Sequence, residues 1–190
     1  MARAEFVQRT GDMFEGDESY ERRLASFLEW YVLDRGVSFA PQMTPVKLYI
    51  ESVSEGLTTP EINALRDLTR TVLSLFEFKR VRGDRLRVVD LLTNNKVDVF
   101  ERRRPSGLES GDILEARLVP KEDTFLLSET IGFLPRDARK DVLKASKRFR
   151  KKGAEDGQTN IDLVHRVAYL SNRCERYSHV PPESIFAELH

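Results

Sequence analysis

Apolar residues along this chain recur first at helical spacing, then in alternation, then at helical spacing again. From Glu18 to about Asp34, Tyr20, Leu24, Phe27, Leu28 and Tyr31 share one stripe, with Glu21, Arg22, Arg23 and Glu29 between them and Trp30 and Val32 widening the apolar side. The spacing predicts an amphipathic helix closed by Arg35-Gly36. A second helix is expected to open at Thr44, its hydroxyl capping free amides and Pro45 filling the first helical position, and to end at Gly56. Thr59-Pro60-Glu61 repeats the device ahead of Ile62, Leu65, Leu68 and Val72. Residues 1–16 show no period and carry Gly11, Asp12 and Gly16, so they read as a mobile arm.

After Ser74 the period drops to two. Leu75-Phe76-Glu77-Phe78 leads to a tight turn at Arg82-Gly83-Asp84, Leu86 and Val88 alternate with Arg85 and Arg87, and Asn94-Asn95 makes a second turn before Val97 and Val99. Past a polar loop, Leu114, Ala116 and Leu118 face one way and Glu115 and Arg117 the other; Lys121-Glu122-Asp123 then turns the chain into a fifth strand, Thr124 to Leu134. These five strands predict an antiparallel sheet or small barrel of the SH3-like or OB-like kind over residues 75–134. Ala138, Val142, Ala145 and Phe149 mark a narrow apolar stripe on a basic helix, 136–152. A breaker at 153–157 precedes a last helix from Thr159 with Ile161, Val164 and Ala168 turned inward, and Pro181-Pro182 starts a terminal turn with Ile185, Phe186 and Leu189. The expected fold is α+β: N-terminal helices within 17–73, the sheet or barrel, and C-terminal helices. Residues 17–152 form the main domain, and 158–190 a helical appendage that packs on it.

Charge narrows the picture. The 190 residues hold 31 basic and 31 acidic side chains, so overall electrostatics draw the protein neither to nucleic acid nor to a membrane, and only local clusters do so. No run of about 18 apolar residues appears, which leaves no spanning segment, and Met1 to Thr10 lack the apolar region of a secretion signal. One cysteine, Cys174, excludes an internal disulfide and a multi-cysteine zinc site. A cytoplasmic location is expected.

The order Phe27-Leu28-Glu29-Trp30-Tyr31-Val32-Leu33-Asp34-Arg35, then Thr44-Pro45, then Val88-Val89-Asp90-Leu91-Leu92-Thr93, then Gly111-Asp112-Ile113-Leu114-Glu115-Ala116-Arg117-Leu118 resembles a family of poorly characterised bacterial proteins. The resemblance covers Phe27 to Pro135. Some of its members carry a SEC-C-type zinc-binding tail, which a single cysteine does not build here. The resemblance therefore implies architecture, and no activity.

Candidate chemistry is sparse. Arg80, Arg82, Arg85 and Arg87 with Lys79 flank the first hairpin, Arg102, Arg103 and Arg104 follow the third strand, and Lys147, Arg148, Lys151 and Lys152 crowd the basic helix. Converging, they would bind phosphates, with Phe76, Phe78 or Phe100 stacking on bases; dispersed, they are solvated faces neutralised by neighbours such as Asp84, Asp90 and Glu101. Arg66 and Arg70 have the R-x-x-x-R spacing of PilZ-type receptors, but inside a predicted helix and without the D/N-x-S-x-x-G sequence that should follow. His165, Cys174 and His179 fit no metal spacing, Gly107 to Gly111 lacks a phosphate-loop ending, and Asp90 and Asp98 are ordinary strand carboxylates unless brought together. No catalytic residue, metal or cofactor is assigned. The sequence favours a non-catalytic binding or regulatory module for a protein partner. Its alternatives are a nucleic-acid binder using the basic hairpin and helix, and an enzyme with no local motif.

Overall fold

The computed structural model describes residues 1–53, 56–101, 107–153 and 155–190. Four helices come first: α1 (Ala2–Thr10), α2 (Tyr20–Leu33), α3 (Pro45–Val53) and α4 (Thr59–Leu68). Six strands follow: β1 (Val72–Arg82), β2 (Arg85–Asp90), β3 (Lys96–Phe100), β4 (Ile113–Lys121), β5 (Thr124–Leu127) and β6 (Gly132–Phe133). The chain ends with a 3-10 turn (Arg136–Ala138), α5 (Arg139–Lys152), α6 (Asn160–Arg176), α7 (Pro182–Phe186) and a second 3-10 turn (Ala187–Leu189).

Strand neighbours run β1-β2-β3-β5-β4, and β4 pairs back onto β1, so five strands close a barrel while β6 adds to β4. All pairings are antiparallel except β3 with β5, where Val99 meets Phe125 and Phe100 meets Leu126 in parallel. The α+β class with a small barrel stands. A wholly antiparallel sheet does not, and the swapped order of β4 and β5 is the OB-like connectivity rather than an SH3-like meander. The expected fifth strand is also two pieces. Leu118 opposes Leu127 and Glu115 opposes Gly132, so Ala116 and Arg117 face four residues, 128–131, that bulge away. Ser128 and Thr130 hydroxyls bond each other and Thr130 Oγ1 donates to Glu29 (2.9 Å), local side-chain bonding that competes with the ladder.

Phe76, Phe78, Leu86, Val88, Val99 and Leu114 fill the barrel. The outward side of β1 and β4 carries a second core, where Leu75 and Ile113 meet Val142 of α5, Val164 and Leu170 of α6, and Phe186 of α7. Helix α6 therefore packs on the barrel together with α5 and α7. Its start is the expected one: Thr159 N–H donates to Asp162 Oδ2 (2.9 Å) and Asp162 N–H to Thr159 Oγ1 (3.2 Å), a reciprocal cap. Helix α4 begins one residue earlier than expected, with Thr58 donating to Glu61 Oε2 (2.8 Å). At α3 the buried Thr44 hydroxyl finds no partner among the described residues.

The expected mobile arm is helix α1. Nine residues are too few for a stable isolated helix, so tertiary contacts hold it. Phe6 packs on Phe27, Trp30 and His165, with ring centroids 5.6, 5.4 and 5.5 Å away, and Glu5 pairs with Arg35 and Arg9 with Asp162, each at 2.9 Å.

Candidate functional site

The alternation along β1 breaks once. Phe78 pairs with Val88 but Arg80 pairs with Arg87, so Lys79 is an extra residue in the ladder. Because strand side chains alternate, one inserted residue reverses every later one. Val81 thereby turns inward opposite Leu86, and Arg80 and Arg82 turn outward. The hairpin closes through Gly83, whose φ of 62° lies in the region that glycine enters without Cβ clash.

Two rungs of like charge result: Arg80 lies directly opposite Arg87, and Arg82 directly opposite Arg85. On β3 the same outward face continues with Asp98 beside Arg87 and Phe100 beside Arg85. Arg87 grips Asp98 in a fork: Nε contacts Oδ1, and Nη2 donates to Oδ2 at 2.6 Å. That hydrogen bond, helped by the charges of Arg87, Arg85 and Arg82, holds the Asp98 carboxyl below its ordinary range. Arg80, Arg82 and Arg85 are exposed and have no ion pair among the described residues.

Helix α5 meets this face at Glu77. Glu77 is buried, 6% exposed, and its carboxylate takes Lys79 Nζ at 2.7 Å and Arg139 Nη2 at 2.8 Å. Burial alone would raise the Glu77 carboxyl, but those two hydrogen bonds outweigh it and lower it. At its other end α5 is fastened by Arg150, which donates to the carbonyl of Leu91. Lys147, Arg148, Lys151 and Lys152 are exposed near that end, about 12–20 Å along the helix from Arg139. The structure thus brings the four hairpin arginines together and leaves the four helix cations as a separate group farther along α5. Arg102, Arg103 and Arg104 lie outside the described residues.

The weaker sequence candidates do not assemble. Asp98 is committed to Arg87, whereas Asp90 is buried and accepts from Ser74, Thr93 and the Leu92 amide. Cys174 is half-buried with its thiol pushed up by burial, away from the thiolate. His165 stacks in the helical core and His179 on Tyr177, and no group of three metal-ligating residues forms among the described residues. Arg70 pairs with Asp67, and Glu109 of the polar loop with Arg136.

Sequence reasoning missed a polar chamber between α1, α2, α6 and the barrel. The β4 face that alternation assigns to solvent is buried: Arg117 is 1% exposed and reaches Glu29 (3.1 Å), Asp34 and Thr71 (2.9 Å). Arg23 donates to the Gly11 and Thr10 carbonyls at 2.6 and 3.1 Å, and burial lowers it to about 10. Burial pushes the Glu115 carboxyl up, with Arg22 only at 4.0 Å, and lowers His165 to about 4. The enclosed space is about 20 Å³, room for a single water and for no organic substrate. Elsewhere Leu28, Tyr31 and Val32 of α2, with Phe39 and Tyr49, are exposed apolar side chains, Phe39 at 82%.

Among the described residues no helix is long and apolar enough to cross a membrane. No curated protein and no solved structure matches the chain. A family described as a family of unknown function, DUF7986, matches residues 5–165, a span that starts in α1 and contains the whole barrel, α5 and the start of α6. With most of its length inside that match, this chain belongs to DUF7986.

Proposed function

We propose that the protein is a non-catalytic binder of single-stranded nucleic acid, acting through the outward face of β1, β2 and β3. One observation carries the reading: the two arginine rungs, Arg80 with Arg87 and Arg82 with Arg85. Like charges directly opposite each other in a sheet are destabilising, and an anion lying between them removes the cost. Guanidinium forks suit phosphate oxygens, and each phosphate neutralised releases counterions. Phe100 lies next to Arg85 on this face. In barrels of this connectivity the face of the second and third strands is a frequent oligonucleotide surface, and the reading draws on that analogy. A bacterial cytoplasm is the setting we propose, in line with the single cysteine and the resemblance described above.

Fluorescence anisotropy with a labelled oligothymidylate at low salt tests the reading. Wild type is expected to bind, and Arg82→Gln with Arg85→Gln to lose at least tenfold in affinity. Equal affinity in the double variant would remove the hairpin from the interface.

A second reading rests on the apolar surface of α2 and α3, which suits a protein partner. Affinity capture should then recover one dominant stoichiometric protein that Phe39→Asp releases. Recovery of the same protein with that variant would exclude this surface.

A further inference from the structure

We infer that Asp98 is a built-in competitor for the phosphate that Arg87 would otherwise bind, so that one rung is closed in the free protein and the other is open. This rests on the nucleic-acid reading and concerns the regulation of that same face. Both carboxylate oxygens of Asp98 occupy the Arg87 fork, which is the geometry a phosphate would take. The side chains of Arg87 and Asp98 are 31% and 37% exposed, so an incoming anion reaches the pair without unfolding. Its members are cross-strand neighbours set by the ladder register, and exchange requires only side-chain rotation. Arg82 and Arg85 also act on Asp98 through charge, but neither is tied to it by a hydrogen bond among the described residues. From β5 the Thr124 hydroxyl donates to the Asp98 main-chain carbonyl (3.3 Å), leaving the carboxylate to Arg87.

The rungs are two residues apart along each strand, about 7 Å, of the order of one backbone repeat in an extended single strand. A first phosphate settles on the open Arg82–Arg85 rung. The next reaches Arg80–Arg87 only by displacing Asp98, which weakens binding and removes one phosphate contact from the salt dependence of the free-to-bound reaction.

The experiment measures oligothymidylate affinity against salt for wild type, Asp98→Asn, Asp98→Ala and, as a charge control, Asp84→Asn in the neighbouring turn. Both Asp98 variants are expected to bind about two- to fivefold more tightly, with a log–log salt slope steeper by about 0.7. Asp84→Asn, which frees no fork, should gain less and keep the wild-type slope. Asp98 variants that bind no better than wild type, or an Asp84→Asn gain of equal size, would overturn the competitor role while leaving the arginine face in place. Absence of binding in wild type and in both Asp98 variants would instead remove the nucleic-acid reading and this inference together.

Discussion

His165 lies on α6 between the rings of Phe6 and Trp30, 5.5 and 6.1 Å away, and its Nδ1 finds no hydrogen bond among the described residues. Buried in this way it stays neutral down to about pH 4, whereas in the unfolded chain it takes a proton near 6.5. The unfolded state therefore binds the extra proton as pH falls from about 6.5 to about 4, and stability drops across that window by roughly 3 kcal/mol. Glu115 works in the other direction. Its raised carboxyl is a cost at neutral pH that protonation relieves on acidification. Denaturant melts of His165→Phe at stepped pH are expected to show a flatter loss between 6.5 and 4.5, with stability at pH 7 equal to wild type or better, since an orphaned buried nitrogen is removed. An unchanged profile would place the titration elsewhere. Arg117 is the converse case, buried and fully engaged, and Arg117→Met should destabilise by roughly 3–5 kcal/mol because Asp34 and Glu29 lose their partner. None of this chamber was visible in the pattern along β4. Glu115 and Arg117 alternate with apolar residues just as solvent-facing charges do, and only the helices laid over that face bury them.

Elements whose own residues carry their stability were legible. The stripe Ala138, Val142, Ala145 and Phe149 is the buried side of the turn and α5, and the Thr159 start and the inward Ile185, Phe186 and Leu189 all recur in the structure. Elements that depend on distant partners were not. Helix α1 is too short to hold alone and exists through Phe6, so Phe6→Ala should cost roughly 3–5 kcal/mol and raise amide exchange across residues 2–10 first. At the hairpin, glycine and the flanking arginines announced the turn, but the extra residue at Lys79, which turns Arg80 and Arg82 outward, leaves no mark in a sequence of alternating charges. That single irregularity makes the candidate site. The four cations at the end of α5 lie away from it, so changing Lys147, Arg148, Lys151 and Lys152 to glutamine should weaken oligonucleotide binding only a few-fold, through the general field. A loss as large as that of the hairpin double variant would mean that the strand runs along the helix instead.

At the scale of the whole molecule, α6 joins two of the three cores. It backs the barrel on one side and closes over α1 and α2 on the other. With overall charge balanced, the proposed binding depends on local arrangement, and the arginines it uses project from a two-stranded ribbon rather than from a loop. The most direct measurement is an NMR titration of the labelled protein with oligothymidylate, following every backbone amide. The account predicts shifts concentrated on the β1–β2 turn, the outward residues of β2 and β3 and the side-chain signals of Arg82, Arg85 and Arg87. Shifts confined to α2 and α3, or none at low salt, would contradict it.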